Sequence, residues 1–501
     1  MSSDRDLLIG HVFRSGARAA PDRVAAALGD RSLTFAEVDR AANDHAAALA
    51  GLGVGHHDRV VLWSHTDLDA VPVFAALARL GAVFAPANAL LGVDEATEMA
   101  SLARPRLLIV DAAHAAAGEQ VAERLGIPVR RLGAVVEDGA PPAPDPVVPD
   151  LGEGDPHVVF FTSGTSGRSK GVVLSHRVNF LRSHPGAQLE PRGATVCMYP
   201  LFHMGAWTIA LQAWQAQSTV VFVEHAEAAT ICDAIARWSA THFNAIPAVW
   251  RRIIDHVEEH PEVAEGLRSL RIVDSGTSAT PPDLLADIAA LVPGATRRVF
   301  YGSTEAGAVC LLRDEAMDAH PGSCGLPQHS VEVRCDPETG ELQVRGPLLF
   351  DGYFDDPAAS AEARTPDGWL RTGDVASIDD GFVTIVGRVK DVIRTGGEAV
   401  APNEVEGALV DHPALLDVAV VGIPDPVWGE TVCAAVVVRP GASSPTLDDL
   451  RAHARDRLAR FKLPRRVEVV PEIPRTAATR QVLRRLLVEE ITSRAAQDSV
   501  G

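Results

Sequence analysis

Between Leu33 and Asn88 the spacing of apolar positions changes twice. From Phe35 to Leu52 they recur every three or four residues, as on one face of a helix; Asp58 to Trp63 is a short apolar run of β type; Val71 to Gly81 returns to helical spacing. Such alternation predicts a layered, largely parallel α/β domain. The rhythm resumes between Gly193 and Val299, with Thr219 to Val223 as a buried strand and Ala226 to Thr241 as a helix. The Pro-, Gly- and Ala-rich stretch Glu137 to Pro149 reads as a surface connector. After Leu342 the pattern changes, because Leu342 to Arg345 and Gly381 to Val386 alternate apolar with polar residues and predict short antiparallel strands. Beyond Lys390 the order strand, helix (Asn403 to Asp411), strand (Val418 to Gly422), strand (Cys433 to Arg439), helix (Leu447 to Leu458), strand describes a second, α+β unit. At ~110 residues it has the size of an independent domain.

The length of 501 residues agrees with several structural units rather than one core. A formal charge of -20 repels nucleic-acid phosphates and anionic lipid, so a polynucleotide partner is not expected. The arginine-rich run Arg475 to Arg485 is explained by arginines near a phosphate site and on a solvated helix face. No apolar run approaches the ~20 residues of a transmembrane helix, and Met1 to Asp6 lacks the basic start and apolar core of a signal peptide. A cytoplasmic protein is expected. Cys197, Cys232, Cys310, Cys324, Cys335 and Cys433 are scattered without a Cys-x-x-Cys pair, which argues against a zinc site and a disulfide framework and predicts buried, reduced thiols.

The densest chemistry is Phe161-Thr162-Ser163-Gly164-Thr165-Ser166-Gly167-Arg168-Ser169-Lys170-Gly171, directly after an apolar segment. Glycines let backbone approach an anion, hydroxyls and N–H groups donate hydrogen bonds, and lysine supplies a mobile point charge. The spacing is not that of the P-loop, in which Gly-Lys-Ser/Thr opens a helix. Here Lys170 precedes a glycine and leads into apolar Val172 to Leu174, so a strand-loop-strand phosphate grip is expected. For an isolated Gly/Ser/Thr cluster a flexible turn would be the ordinary reading.

The order of that loop resembles the signature of the adenylate-forming superfamily, which includes acyl-CoA synthetases, aryl-CoA ligases, luciferases and peptide-synthetase adenylation domains. Tyr301-Gly302-Ser303-Thr304-Glu305, Thr372-Gly373-Asp374, Gly387-Arg388-Val389-Lys390-Asp391, Gly396-Gly397-Glu398 and Pro402-Asn403-Glu404-Val405-Glu406 match further segments in the same order. The resemblance runs from about Leu33 to Arg485 and is strongest to acyl-CoA synthetases, the fatty-acid–CoA ligases. It implies an N-terminal AMP- and acyl-binding domain over residues 1–387 with a small β-rich subdomain. A hinge at residues 388–390, about Lys390, and a mobile C-terminal domain over residues 391–501 would follow.

The implied reaction joins a carboxylic acid to the α-phosphate of ATP, expels pyrophosphate, and passes the acyl group to the thiol of CoA, with Mg²⁺ as the metal. By the same resemblance Thr162, Ser163, Gly164, Thr165, Ser166, Gly167 and Lys170 grip the β- and γ-phosphates. Thr304 touches the α-phosphate and Glu305 holds Mg²⁺, a hard cation suited to carboxylate oxygen. Tyr301, with Gly302 and Ser303, offers a face for adenine; Asp374 accepts from the ribose hydroxyls and Arg388 supplies complementary donors. His203 is the implied gate to an acyl pocket bounded by Trp207, Gly276 and Thr277. Phe202 to Trp207 contains no aspartate to bind an α-amino group, which favours a plain carboxylic acid. A β-branched Thr277, where many relatives carry glycine, should narrow the pocket against long straight chains. Gly396, Gly397 and Glu398 fall on the implied thiol-delivery face, beside the Lys390 hinge.

One departure stands out. Relatives end with a Gly-Lys pair whose lysine enters the adenylation site, whereas this chain has Thr479-Arg480. Arg480 keeps the charge with a bulkier, planar donor set. Three readings follow: Arg480 substitutes for the lysine in a CoA ligase; adenylation is slow while thioester formation or its reverse remains; or the chain is a non-adenylating nucleotide- or acyl-CoA-binding relative, and apart from these an acyl-AMP ligase loading a carrier protein is the alternative enzyme. A homodimer is compatible with all three.

Overall fold

A computed structural model describes residues 6–163, 169–184, 193–396, 398–475 and 482–498. The chain divides into two compact units, one comprising Met1–Glu332 with Arg345–Leu370 and the other Val333–Val344 with Arg371–Gly501.

The first unit carries two sheets. Nine strands lie in the spatial order Leu326–Pro327, Gly307–Arg313, Thr296–Ser303, Ile272–Gly276, His242–Ala245, Thr195–Cys197, Val220–Phe222, Val24–Leu28 and Arg31–Thr34. The six from Thr296–Ser303 to Val24–Leu28 are parallel, and antiparallel strands close both edges. Seven strands form the other sheet, in the order Gly352–Tyr353, Ser169–Ser175, Pro156–Ser163, Val83–Ala87, Arg59–Trp63, Leu107–Val110 and Val129–Arg131. Five of these are parallel, and the strands flanking the glycine-rich loop add an antiparallel edge.

The helices follow from local signals. Thr34 and Glu37 form a reciprocal capping box that opens Phe35–Gly51, and Gly81 at φ +64° closes Ala70–Leu80 in the left-handed conformation glycine tolerates. Every residue of Ala70–Leu80 is buried, the expected fate of a helix apolar all round. Its Phe74 stacks on Trp207 at 4.1 Å, Phe84 meets the same indole edge-on at 5.0 Å, and Phe13 packs on Trp214 at 5.0 Å. Buried Arg79 is accommodated because its Nη groups donate hydrogen bonds to Asp39 and Asn43. The helix Ile9–Ala19 and the hairpin of Val24–Leu28 with Arg31–Thr34 extend the fold ahead of Leu33, where the apolar rhythm first becomes readable.

The second unit contains a four-stranded sheet (Glu332–Cys335, Glu341–Arg345, Leu370–Asp379, Phe382–Arg388) in which the last two strands pair antiparallel, as the alternating pattern requires. A five-stranded sheet joins Glu398–Val400, Ile393–Thr395, Gly429–Val438 and Leu415–Asp425, and Arg466–Val469 runs parallel to Gly429–Val438. Its side chains sort by period two. Val418, Val420, Val432, Ala434 and Val436 face Val405, Leu409 and Leu450, whereas Ala419, Val421, Ile423, Cys433 and Ala435 face Leu487 and Ile491. Helices on both faces thus close the core. The architecture is mixed α/β, with a large N-terminal and a smaller C-terminal part. Among the described residues no helix is long and apolar enough to cross a membrane.

Candidate active site

The strands Pro156–Ser163 and Ser169–Ser175 pair antiparallel and set Thr162 opposite Lys170, so the predicted strand-loop-strand arrangement brackets the glycine-rich turn. Residues 164–168, which include Gly164, Thr165, Ser166 and Gly167, lie outside the described residues, as does the side chain of Ser163. Gly171 permits the close packing that follows, since a Cβ there would come within 2.8 Å of Val159. Gly352–Tyr353 pairs with Val172–Val173 and carries Tyr353 onto Lys170, whose Nζ lies 4.7 Å from the ring centroid.

Tyr353 also reaches the second motif. Its Oη donates to Glu305 Oε1 at 3.1 Å, and burial, with the neighbouring Glu305 charge, raises the phenol above its usual range. Lys170 and Glu305, 135 residues apart in sequence by their numbering, are thereby gathered about one ring. The backbone of Thr304 and Glu305 is fixed by a buried arginine on the helix His176–Ser183. Arg182 donates through Nη1 to Thr304 O at 2.8 Å, through Nη2 to Glu305 O at 2.8 Å and through Nε to Leu348 O at 2.7 Å. Burial lowers its guanidinium to about 10, offset in part by Asp351 and Glu305. Gly302 is required by close approach, because a Cβ would stand 2.2 Å from Gly307 O. Ser303 Oγ accepts from Ala306 N–H at 3.0 Å, and Tyr301 is half-buried at the end of Thr296–Ser303.

The implied acyl residues divide. His203 caps the helix Met204–Gln215, its Nδ1 accepting from Gly205 N–H at 3.1 Å, and its ring lies parallel to Tyr199 at 5.6 Å. Burial pulls its imidazole down to about 4, so it is neutral at pH 7 with the proton on Nε2. Thr277 neighbours the same Tyr199, whose phenol burial raises above its usual range, so His203 and Thr277 adjoin one ring. Gly276 sits beneath Phe300, whose ring a Cβ would meet at 2.6 Å. Trp207 is in a different place, 2% exposed and stacked on Phe74, with Nε1 donating to Leu201 O at 2.6 Å.

In the second unit Asp374 and Arg388 are cross-strand partners, Arg388 Nε donating to Asp374 Oδ1 at 2.8 Å. Gly373 takes φ +74° and donates its N–H to Glu341 Oε1 at 2.9 Å. Lys390 is exposed in the short turn Val389–Asp391. Gly396, at φ +61°, lies under the Trp428 ring, which a Cβ would meet at 2.6 Å, and Glu398 is exposed across the same hairpin. Gly397 and Arg480 fall outside the described residues.

Comparison with known proteins bears on this arrangement. A family model described as AMP-binding enzyme matches residues 13–354, and one described as AMP-binding enzyme C-terminal domain matches residues 404–480. The chain belongs to the AMP-binding enzyme family. As a member it is an adenylate-forming ligase, and ATP is its nucleotide. It is 33% identical over 479 residues to a feruloyl-CoA synthase of Amycolatopsis sp, covering 92% of this chain and 95% of that protein. To 4-coumarate–CoA ligase 2 of Oryza sativa subsp. japonica it is 32% identical, over 93% and 89% of the two chains. ATP-bound MatB from Rhodopseudomonas palustris superposes with a TM-score of 0.85 at 27% identity, over 96% and 98% of the chains.

Several residues that organise this family member's site were not reached from its sequence. Tyr353 lies outside every motif named above, Arg182 reads as an ordinary helix arginine, and Tyr199 and Asn244 lie in apolar runs. Only Tyr353 had a usable signal, being one of three tyrosines in the chain.

Proposed function

We propose that this chain is an acyl-CoA synthetase that condenses a ring-bearing carboxylic acid with ATP and passes the acyl group to CoA. The observation that carries the reading is the convergence of Lys170 and Glu305 on Tyr353, which sets a mobile cation beside a carboxylate. Bringing one anion onto another needs charge neutralisation and alignment rather than a base, because the attacking carboxylate is already ionised. Lys170 holds the β- and γ-phosphates and the departing pyrophosphate. Glu305 fits a Mg²⁺ ligand because Tyr353 occupies only Oε1 and leaves a hard oxygen for the ion. Mg²⁺ bound there would neutralise charge on the phosphate oxygens.

Thr304 contacts the α-phosphate, held in register by the Arg182 grip on its carbonyl. Tyr301 takes adenine, Asp374 the ribose hydroxyls with Arg388 alongside, and Arg480 takes the part of the usual lysine in adenylation. Neutral His203 gates the acyl pocket, and Gly396 gives the thiol arm close access to the backbone. A ring-bearing acid is favoured by the branched Thr277 and by the relatives named for feruloyl-CoA and 4-coumarate.

The test is pyrophosphate and AMP release across straight-chain and ring-bearing acids, with and without CoA. Release with a ring-bearing acid, becoming multiple-turnover on addition of CoA, is expected. Retained ATP binding without adenylate from any acid would overturn the reading.

A further inference from the structure

His56 and His57 stand just before the strand Arg59–Trp63, Gly81 just before Val83–Ala87 and Asp155 directly before Pro156–Ser163. The three strands run parallel, so these residues gather at their amino ends. Ligands of open α/β sheets bind outside the carboxyl ends. This cluster is therefore one strand length away from the phosphate loop that follows Ser163, and its chemistry is separate from adenylation.

His56 Nε2–H donates to Asp155 Oδ2 and His57 Nε2–H to Asp155 Oδ1, each at 3.0 Å, and the two imidazoles pack together with centroids 3.9 Å apart. Successive side chains of an extended chain point to opposite sides. His57 departs from that rule by taking φ +66°, an uncommon conformation outside glycine, and its N–H donates to Gly81 O at 2.8 Å. The His56 ring packs on Gly81, where a Cβ would come within 2.6 Å of it, and Asp155 Oδ2 also accepts from Gly152 N–H at 2.8 Å. Each of the three residues is thus oriented by a contact behind it, as the ligands of metal sites are.

Their donor atoms lie within 4.8 Å of one another. A tetrahedral Zn²⁺ with bonds of ~2.0–2.2 Å spaces its ligand atoms by about 3.4 Å, so a small outward shift of each group admits the ion. His57 is exposed, which gives an entry path and room for a water as fourth ligand. The other His–Asp–His group, His65, Asp111 and His114, lacks this freedom. Asp111 already accepts from the backbone N–H and Nδ1 of both histidines, and His114 Nε2 is taken up 2.8 Å from Ala89 O.

We infer that His56, His57 and Asp155 bind a divalent transition-metal ion of the zinc class, as a structural site of the first unit. Two imidazole nitrogens and one carboxylate suit Zn²⁺ rather than Mg²⁺, which takes six oxygens. Binding moves each ring proton from Nε2 to Nδ1 and leaves the Nε2 lone pairs and a carboxylate oxygen to the ion. The ion fixes the start of the strand that carries Thr162. Because Asp155 O accepts from His176 N–H at 3.1 Å, it also fixes the start of the helix that carries Arg182.

The experiment strips the full chain with a chelator, dialyses it against Zn²⁺ alone, and measures bound metal and the thermal melting midpoint in wild type, His57→Gly, His56→Gln and His65→Gln. Glycine suits the φ of residue 57, so that variant keeps the fold while losing one ligand. Wild type is expected to hold one Zn²⁺ that His57→Gly and His56→Gln bind at least about 100-fold more weakly. The ion should raise the wild-type midpoint by a few degrees and leave those two variants unmoved, since a metal that binds only the folded chain stabilises it by mass action. His65→Gln is expected to keep both effects, and Co²⁺ in place of Zn²⁺ should show the visible bands of a four-coordinate nitrogen and oxygen site. No uptake by wild type, or equal uptake by wild type and His57→Gly, would overturn the inference. Loss confined to His65→Gln, or a Co²⁺ spectrum with thiolate charge transfer, would do the same. Pyrophosphate release plays no part in these readouts, so the outcome is independent of the ligase reading.

Discussion

Arginine and lysine differ in shape more than in charge, and that difference decides what Arg480 does. An ammonium is a compact point charge that can sit between two anions, whereas a guanidinium presents a flat fork that grips one of them better than it bridges both. The preceding Thr479, in place of glycine, narrows the backbone conformations that could compensate. Arg480→Lys is therefore expected to raise the rate of adenylate formation several-fold at saturating ATP and acid. A loss of rate measured by pyrophosphate release would mean that the surrounding site has adapted to the guanidinium. Lys170 and Glu305 were legible in the sequence because each stands inside a contiguous motif whose residue types share one chemical purpose. The Tyr199–Asn244 contact was not, because the two residues are 45 apart by their numbering and meet only through parallel strand register.

At the scale of elements, the site depends on a helix that contributes no group to the chemistry. His176–Ser183 begins with a Ser175 cap, runs behind the phosphate strands and ends with Arg182 clasping three backbone carbonyls. Those carbonyls belong to Thr304, Glu305 and Leu348, so one side chain ties the Thr304–Glu305 motif to the segment leading to Tyr353. Arg182→Met would retain most of the volume while leaving buried acceptors without donors. Leaving a buried acceptor without its donor costs about 1–3 kcal/mol. A urea melt should show a loss of that order, and the KM for ATP should rise with it; unchanged stability and KM would show that the carbonyls are otherwise satisfied. The alternation of helices and parallel strands was readable because each period repeats over several residues. The helix Met204–Gln215 was obscured, since its apolar residues are nearly continuous and its start coincides with the Pro200 to Trp207 segment assigned to the acyl pocket. Trp207 shows the consequence: an indole beside a gate histidine reads as pocket lining, yet one helical position turns it toward Phe74 and the core.

For the molecule as a whole, the packing of the first unit makes folding sensitive to acid. His157 and His176 are fully buried with their rings 4.7 Å apart, and both are held neutral. His176 Nδ1 accepts from Ile9 N–H at 3.2 Å and His157 Nδ1 meets the Asn179 amide at 3.0 Å, which fixes the remaining proton of each ring on Nε2. Burial drives His176 down to about 3 and His157 well below its ordinary value, where the nearby His176 lowers it further. A histidine whose folded-state pKa is depressed binds fewer protons folded than unfolded, so its contribution to stability is lost as pH falls below the unfolded value of ~6.5. The loss continues until the folded pKa is reached. For His176 the decrease between pH 7.5 and pH 5 is about 2 kcal/mol, with a loss of the same sign from His157. Denaturant melts at the two pH values should show the wild type weaker at pH 5. Replacing His176 with glutamine should lower stability at pH 7.5, because the Ile9 contact changes, yet shrink the difference between the two pH values by about 2 kcal/mol. An undiminished pH difference in that variant would assign the acid sensitivity to other groups. The sequence does not advertise this dependence, because the His157 to His176 contact forms only when the strand Pro156–Ser163 and the helix His176–Ser183 fold back on each other around the phosphate loop. Lys170 stands on the strand Ser169–Ser175, which pairs with the strand of His157 and leads directly into the helix of His176, so loss of ATP binding is expected to accompany acid unfolding rather than precede it.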